Sequence, residues 1–239
     1  MNLNDLLMVG AMPYAIQNHL VLPQDDHRAI LAIVSRLAQE CRRRKIVMTG
    51  GETSIHAGAE AMDISITVSG FIKHKIENQC QSGDVLIGLP SGGLQANGFT
   101  KVRNIFGKKI KSDFVRPTII YYEQIFPLLG KYKINGLMHI TGGAFTKLKD
   151  ILGANDAYIS FPSKFKAPAI FYELHKKGLS NRVMYTTFNC GMGFIISVPE
   201  NQVKAVRSKL KKSFIIGSVS RGSGKIKIES AFDKKIVEF

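Results

Sequence analysis

Acids, carboxamides and paired glycines recur at a few short junctions of this chain, and together those residue types suit the handling of phosphate groups. Asn4-Asp5-Leu6 is followed by Gly10-Ala11 at the start of an apolar, helix-like segment. A carboxylate beside a carboxamide there could hold a magnesium ion, which takes oxygen ligands and bridges nucleotide phosphates. Asp5 could equally be a helix cap. Thr49-Gly50-Gly51-Glu52-Thr53 comes after a short apolar stretch. Its glycines would let the backbone approach a ligand closely while Glu52 and Thr53 project from a strand end, or they would make a plain turn. Asp63 is a third carboxylate for such a cluster, or an exposed strand residue.

Three further junctions carry glycine between a strand-like run and a helix-like one. Pro90-Ser91-Gly92-Gly93, continuing through Gln95-Ala96-Asn97-Gly98-Phe99-Thr100, offers backbone N–H groups and a helix amino terminus to an anion, with Lys101 and Arg103 close by. Small residues also make ordinary turns. His139-Ile140-Thr141-Gly142-Gly143-Ala144 is the second junction and Thr187-Phe188-Asn189-Cys190-Gly191-Met192-Gly193 the third. Taken alone, His139 reads as a hydrogen-bonded core histidine or as a base.

The elements that must position these residues follow from hydrophobic periodicity. Ile30, Ile33, Val34, Leu37 and Cys41 recur at helical spacing behind Asp25 and Asp26, predicting an amphipathic helix over 26–44. Residues 45–48 read as a short strand running into Gly50. Met62, Ile64, Ile66 and Val68 alternate with polar residues, predicting a strand with one buried face. A polar stretch over 73–83 ends in Gln81-Ser82-Gly83, and a domain boundary is placed there, giving units 1–82 and 83–239. Beyond it the pattern predicts strands at 84–89, 137–141, 157–161, 193–198, 214–219 and 225–229. Helices are predicted at 98–106, 118–129, 144–152, 169–177 and 201–210. The fold class is mixed α/β, of the α+β kind.

At 239 residues and 45% hydrophobic content the chain can bury a sizeable core. No apolar run reaches the roughly 18 residues of a membrane span, and the amino terminus lacks the pattern of a signal peptide, so a cytoplasmic location is expected. Cys41, Cys80 and Cys190 form no CxxC pair and predict neither zinc site nor disulfide. The net charge of +15 invites nucleic-acid binding. However, Arg42-Arg43-Arg44, Lys108, Lys109, Lys111, Lys209, Lys211 and Lys212 read as helix ends or solvated faces without interleaved aromatic residues. Small anionic substrates are therefore the expected partners, and nucleic acid is not.

In order, NDLLMVGAMP, GGET, GDVLIGLPSGGLQANGFTKVR, RPTIIYY, GLMHITGGAF and MYTTFNCGMGFIISV resemble the aminoimidazole ribonucleotide (AIR) synthases, the phosphoribosylformylglycinamidine cyclo-ligases. The resemblance runs from Asn4 to about Val219. It implies a two-domain fold in which the amino-terminal units of two subunits pair their sheets into a barrel, with ATP near that interface, so a homodimer is expected. Asp5 and Glu52 then fall at metal and phosphate positions, beside Gly50, Gly51 and Thr53. Ser91, Gly92, Asn97, Gly98, His139, Thr141, Gly142, Gly143, Asn189 and Gly191 would line the side that takes formylglycinamidine ribonucleotide. The implied cofactors are ATP and Mg2+. The implied reaction is ATP-dependent ring closure to AIR.

The family carries a glycine-rich GTDGVGTK-like segment ahead of the NDL motif that has no counterpart here, which makes the first unit an incomplete barrel half. A late annotated start, a split gene with a second polypeptide supplying that segment, or a reduced protein would each account for it. The family also has His-Ser where Gln95-Ala96 stand and Glu-Met-Tyr-Arg where Val183-Met184-Tyr185-Thr186 stand. Two other readings follow from these departures: a small-molecule kinase of the same superfamily, and a non-catalytic paralogue.

Overall fold

The structure, a computed structural model, describes residues 1–239. Two sheets divide the chain. In the first part run α1 (Asn2–Met8), β1 (Ala11–Leu22), α2 (His27–Arg44), β2 (Val47–Ile55) and β3 (Asp63–Ile72). β1 lies centrally, parallel to β2 and antiparallel to β3. α2 makes the crossover that a parallel β1–β2 pair requires. The Asp26 side chain caps α2 by accepting from the Ala29 N–H at 3.0 Å, and Lys45 ends it in the left-handed conformation.

The second sheet has seven strands in the order β10-β9-β6-β8-β4-β7-β5, antiparallel throughout except for β6 and β9. In chain order its elements are β4 (Asp84–Pro90), α3 (Phe99–Phe106), α4 (Tyr122–Ile125), β5 (Gly136–His139), α5 (Lys149–Leu152), β6 (Asn155–Ser160), α6 (Ala169–Lys176), α7 (Asn181–Thr187), β7 (Met192–Pro199), α8 (Val203–Lys209), β8 (Phe214–Arg221), β9 (Ile226–Glu229) and β10 (Ile236–Glu238). Both faces of this sheet are covered. Leu86 and Ile195 face a large cluster with Phe145, Phe171 and Tyr185, whereas Ile87 and Ile196 face a smaller one with Tyr121, Ile125 and Val206. The period of two explains why DVLIGLP and MGFIISVP are apolar nearly throughout. Leu7 of α1 is buried in the smaller cluster, so α1 belongs to the packing of the second sheet although it leads into the first.

The first sheet has a much thinner core, with Ile16, Cys41 and Ile46 buried and Met48, Ile66 and Val68 packed around them. Its other face is open. Met12, Tyr14 and Phe71 are exposed there, and the rings of Tyr14 and Phe71 stack at 4.4 Å. No helix is long and apolar enough to cross a membrane.

Several elements differ from the periodicity reading. The strand predicted at 45–48 extends to Ile55, so Gly50-Gly51-Glu52-Thr53 lies inside β2 rather than in a turn after it. The cause is pairing with β1, which supplies a partner for every residue from Gly50 to Ile55. Met62 and Ile64 remain exposed because α2 covers only the Ile66 and Val68 part of β3. The helix predicted over 118–129 shrinks to one α turn and a following 3-10 turn at Phe126–Leu128, as Pro127 cannot donate and Asn4 captures the Tyr121 N–H. Residues 144–152 begin as a 3-10 turn, Ala144–Leu148, before α5. β1, α7 and β10 have no counterpart in the periodicity reading.

Candidate functional site

α1 places Asn4 and Asp5 against the carboxyl end of β5. Asn4 is fully buried and both ends of its carboxamide are hydrogen-bonded. Nδ2 donates to the Ile119 carbonyl at 2.9 Å and lies 3.1 Å from His139 Nε2, while Oδ1 accepts from the Tyr121 N–H at 2.8 Å. The only proton arrangement that fits both neighbours puts the His139 proton on Nδ1, which faces Asp5 Oδ1 at 3.3 Å, and leaves Nε2 to accept from Asn4. Tyr121 and Phe194 pack on the His139 ring, and its backbone N–H approaches Met8 Sδ at 3.2 Å. His139 is thus a buried link holding Asp5 at the molecular surface, where about half of that side chain is exposed. The His139 hydrogen bond holds the Asp5 carboxyl below its ordinary value, against an opposing effect of burial, with the charge of nearby Lys147 adding to the lowering.

Beside this node three turns converge. Ser91 and Asn189, both buried, bond through Oγ and Oδ1 at 2.6 Å, and Asn189 Oδ1 also accepts from the Gly191 N–H at 2.9 Å. Asn189 Nδ2 donates to the carbonyls of Gly93 and Leu94 at 2.9 and 3.2 Å. One carboxamide therefore ties the turn after β4 to the turn before β7. Gly98 closes the first turn at φ +83, and a side chain there would overlap the Phe188 ring, so the ANGF sequence requires glycine at that point. Asn97 Oδ1 borders the exposed turn at Gly142 and Gly143, whose N–H groups donate to no protein acceptor. The Lys147 side chain leans against Gly143, and Arg116 donates to the Gly92 carbonyl at 3.4 Å. The result is a rim of free N–H groups, a carboxamide and cations beside one ionised carboxylate, an arrangement suited to a phosphorylated ligand.

The structure thus brings together Asp5, Ser91, Gly92, Asn97, Gly98, His139, Thr141, Gly142, Gly143, Asn189 and Gly191. Gly50, Gly51, Glu52 and Thr53 lie inside β2, paired with β1. Glu52 lies on the open face of the first sheet, opposite His19 of β1 and across from Ser65, in a polar groove with Gln17, Gly51 and Thr67. His19 Nε2 lies 2.9 Å from Ser54 Oγ, and Gly51 is pressed against the Asn18 carbonyl so closely that a side chain would not fit. No group of three metal-ligating side chains occurs anywhere in the chain. Sequence reasoning missed Asn4 as the organising residue, though it stands beside Asp5, and it missed Lys147 and His19 altogether.

Gln95 is buried with neither amide atom hydrogen-bonded. It lies beside the Tyr121 hydroxyl, but that hydroxyl donates to the Pro90 carbonyl at 2.8 Å.

Comparisons with known proteins show the family. The AIR synthase related protein, N-terminal domain, matches residues 1–72, and the AIR synthase related protein, C-terminal domain, matches residues 81–229. The chain is 33% identical over 235 residues to the phosphoribosylformylglycinamidine cyclo-ligase of Saccharolobus solfataricus, covering 94% of this chain and 71% of that one. It is 35% identical over 237 residues to the enzyme of the same name from Sulfurisphaera tokodaii, covering 94% and 72%. Among solved structures, the hydrogenase maturation protein HypE of E. coli superposes with a TM-score of 0.76 at 18% identity over 100% of this chain and 76% of its own. Thiamine monophosphate kinase from Aquifex aeolicus gives 0.66 at 18% identity over 99% and 79%. These two likenesses concern the fold. With both family domains matched in order and cyclo-ligases at such identity over most of its length, the chain belongs to the AIR synthase family.

Proposed function

We propose that this chain carries out the ATP-dependent closure of formylglycinamidine ribonucleotide to 5-aminoimidazole ribonucleotide, a step of purine biosynthesis. The observation that carries the reading is the union, on one rim, of the Asn4–His139–Asp5 node with the turns at Ser91–Gly98, Thr141–Gly143 and Asn189–Gly191. The formamide oxygen of the substrate takes the γ-phosphoryl group of ATP. A substrate nitrogen then attacks the activated carbon, closes the ring and expels phosphate, leaving ADP as the other product. Such chemistry needs placement and charge neutralisation rather than a protein nucleophile. The free N–H groups of Gly142 and Gly143, with Lys147, suit the substrate phosphate, and Asn97 suits a polar group of the same ligand.

Magnesium enters in this reading as the magnesium complex of ATP, which needs one or two protein carboxylates because phosphate and water oxygens complete its shell. Asp5 fits that role: it is ionised, half-exposed and held in place from behind by His139. Glu52 would meet a nucleotide only on the open face of the first sheet. Residues 1–82 form the nucleotide-binding and pairing unit and residues 83–239 the substrate unit. A second copy covers the open face at Met12, Tyr14 and Phe71, giving the thin first core the apolar burial it lacks.

The test is isothermal titration of the chain with magnesium and a non-hydrolysable ATP analogue, with and without formylglycinamidine ribonucleotide. Saturable nucleotide binding strengthened by the substrate supports the reading. Nucleotide binding indifferent to that substrate but sensitive to another small acceptor would replace it with a kinase of the same fold.

A further inference from the structure

Away from the rim, two clefts of about 860 and 620 Å³ adjoin one another at Tyr132. Lys131, Lys209, Lys211 and Lys212 line the first cleft, and Lys75 and Lys133 the second. The lysines that pair with carboxylates in this protein are Lys111, Lys225, Lys227 and Lys234, so all six in the clefts are unpaired. Of the two carboxylates in the lining, Glu123 is already taken by Arg44 at 2.6 Å, leaving Glu77 alone to oppose the lysines. The Leu128–Tyr132 turn creates the arrangement. The N–H groups of Lys131 and Tyr132 both donate to the Leu128 carbonyl at 3.1 Å, and the chain then sends Lys131 to one cleft, Lys133 to the other and Tyr132 to their junction.

We propose that these joined clefts are a binding groove for single-stranded nucleic acid, with the six lysines following the phosphates and Tyr132 offering a stacking surface to a base. The chemistry favours a strand over a compact anion, because unpaired cations are spread along two adjoining clefts rather than focused on one point. It favours nucleic acid over an acidic polypeptide because an aromatic side chain stands between the lysines. Lys131-Tyr132-Lys133 supplies the interleaving that the lysine runs at 108–111 and 209–212 lack. None of these residues belongs to the rim, so the proposal stands apart from the cyclo-ligase reading.

The test is fluorescence anisotropy of the full chain with a labelled twelve-nucleotide single strand across a salt series, with poly-glutamate and inorganic polyphosphate as competitors. The expected result is oligonucleotide binding weakened about tenfold or more in the triple variant K131A/K209A/K211A, with a salt slope shallower by about 2. Tyr132→Ala should weaken binding severalfold at unchanged salt slope, about the loss of one stacked base. A K108A/K109A variant should bind like the parent. The proposal is overturned if K108A/K109A loses as much as the cleft variant, which would mean a generic effect of net charge. It is also overturned if poly-glutamate or polyphosphate competes as well as unlabelled oligonucleotide at equal charge, or if no binding occurs at low salt.

Discussion

Replacing Asn4 by alanine probes the node on which the site is built. The substitution removes the partner of three groups at once: the Tyr121 N–H, the Ile119 carbonyl and His139 Nε2, at 2.8, 2.9 and 3.1 Å. Asn4 and His139 are fully buried and Tyr121 nearly so, so water cannot replace the lost bonds without opening the contact between α1 and β5. Each buried group left without a partner costs about 1–3 kcal/mol. Because the three belong to one network their costs do not simply add, and a total loss of about 3–5 kcal/mol is expected. In a chain of this size that lowers the melting temperature by on the order of 10 °C. Urea unfolding followed by far-ultraviolet circular dichroism would measure the loss from the shift in midpoint at unchanged slope. A destabilisation below about 1 kcal/mol, the worth of a single ordinary hydrogen bond, would refute the claim that Asn4 organises the junction.

Other consequences are equally open to measurement. Gly98→Ala forces a side chain into the Phe188 ring at a left-handed backbone position, and should cost about 3 kcal/mol of stability in the same urea assay; a near-neutral result would mean that the turn is free to rearrange. Asp5 has a lowered carboxyl pKa in the folded chain, so its contribution to stability is present above its unfolded value of 3.8 and is lost as the pH falls through the lower folded value. Asp5→Asn should therefore flatten the acid limb of the stability profile, and unchanged acid sensitivity would sever Asp5 from His139. Gln95→Leu removes two buried amide atoms that have no partners, so stability should stay level or rise by about 1 kcal/mol, whereas a loss of similar size would reveal a bond to the amide that the structure does not show.

Much of the second sheet was legible because strands buried on both faces announce themselves as apolar runs, as DVLIGLP and MGFIISVP do. The helix over His27–Arg44 was legible for a different reason, its cap and its three-to-four spacing both being local signals. β1 was obscured by Gln17-Asn18-His19 and by the register shifts on either side of Ala15 and Ile16, which break the alternation that marks a strand. Without β1 in view, Gly50 to Thr53 had no visible pairing partner, and the glycines read as a turn. α7 was missed since Val183, Thr186 and Thr187 favour strands, although Ser180 accepts from the Val183 N–H and starts a helix there.

The residues of the candidate site were mostly visible as motifs, but their grouping was not. Nothing local indicates that Asn189 reaches across almost a hundred positions to Ser91 and Gly93, or that His139 bonds Asp5 rather than a ligand. The place of Glu52 inside β2, opposite His19, likewise depends on the course of β1, a tertiary fact.

The most direct test of the cyclo-ligase reading is ATP hydrolysis by the purified chain with magnesium, in the presence and absence of formylglycinamidine ribonucleotide, with the products identified by mass spectrometry. The account predicts ADP formation that depends on the substrate and is matched mole for mole by 5-aminoimidazole ribonucleotide. ADP release indifferent to the substrate, or binding of the substrate without any turnover, would contradict it.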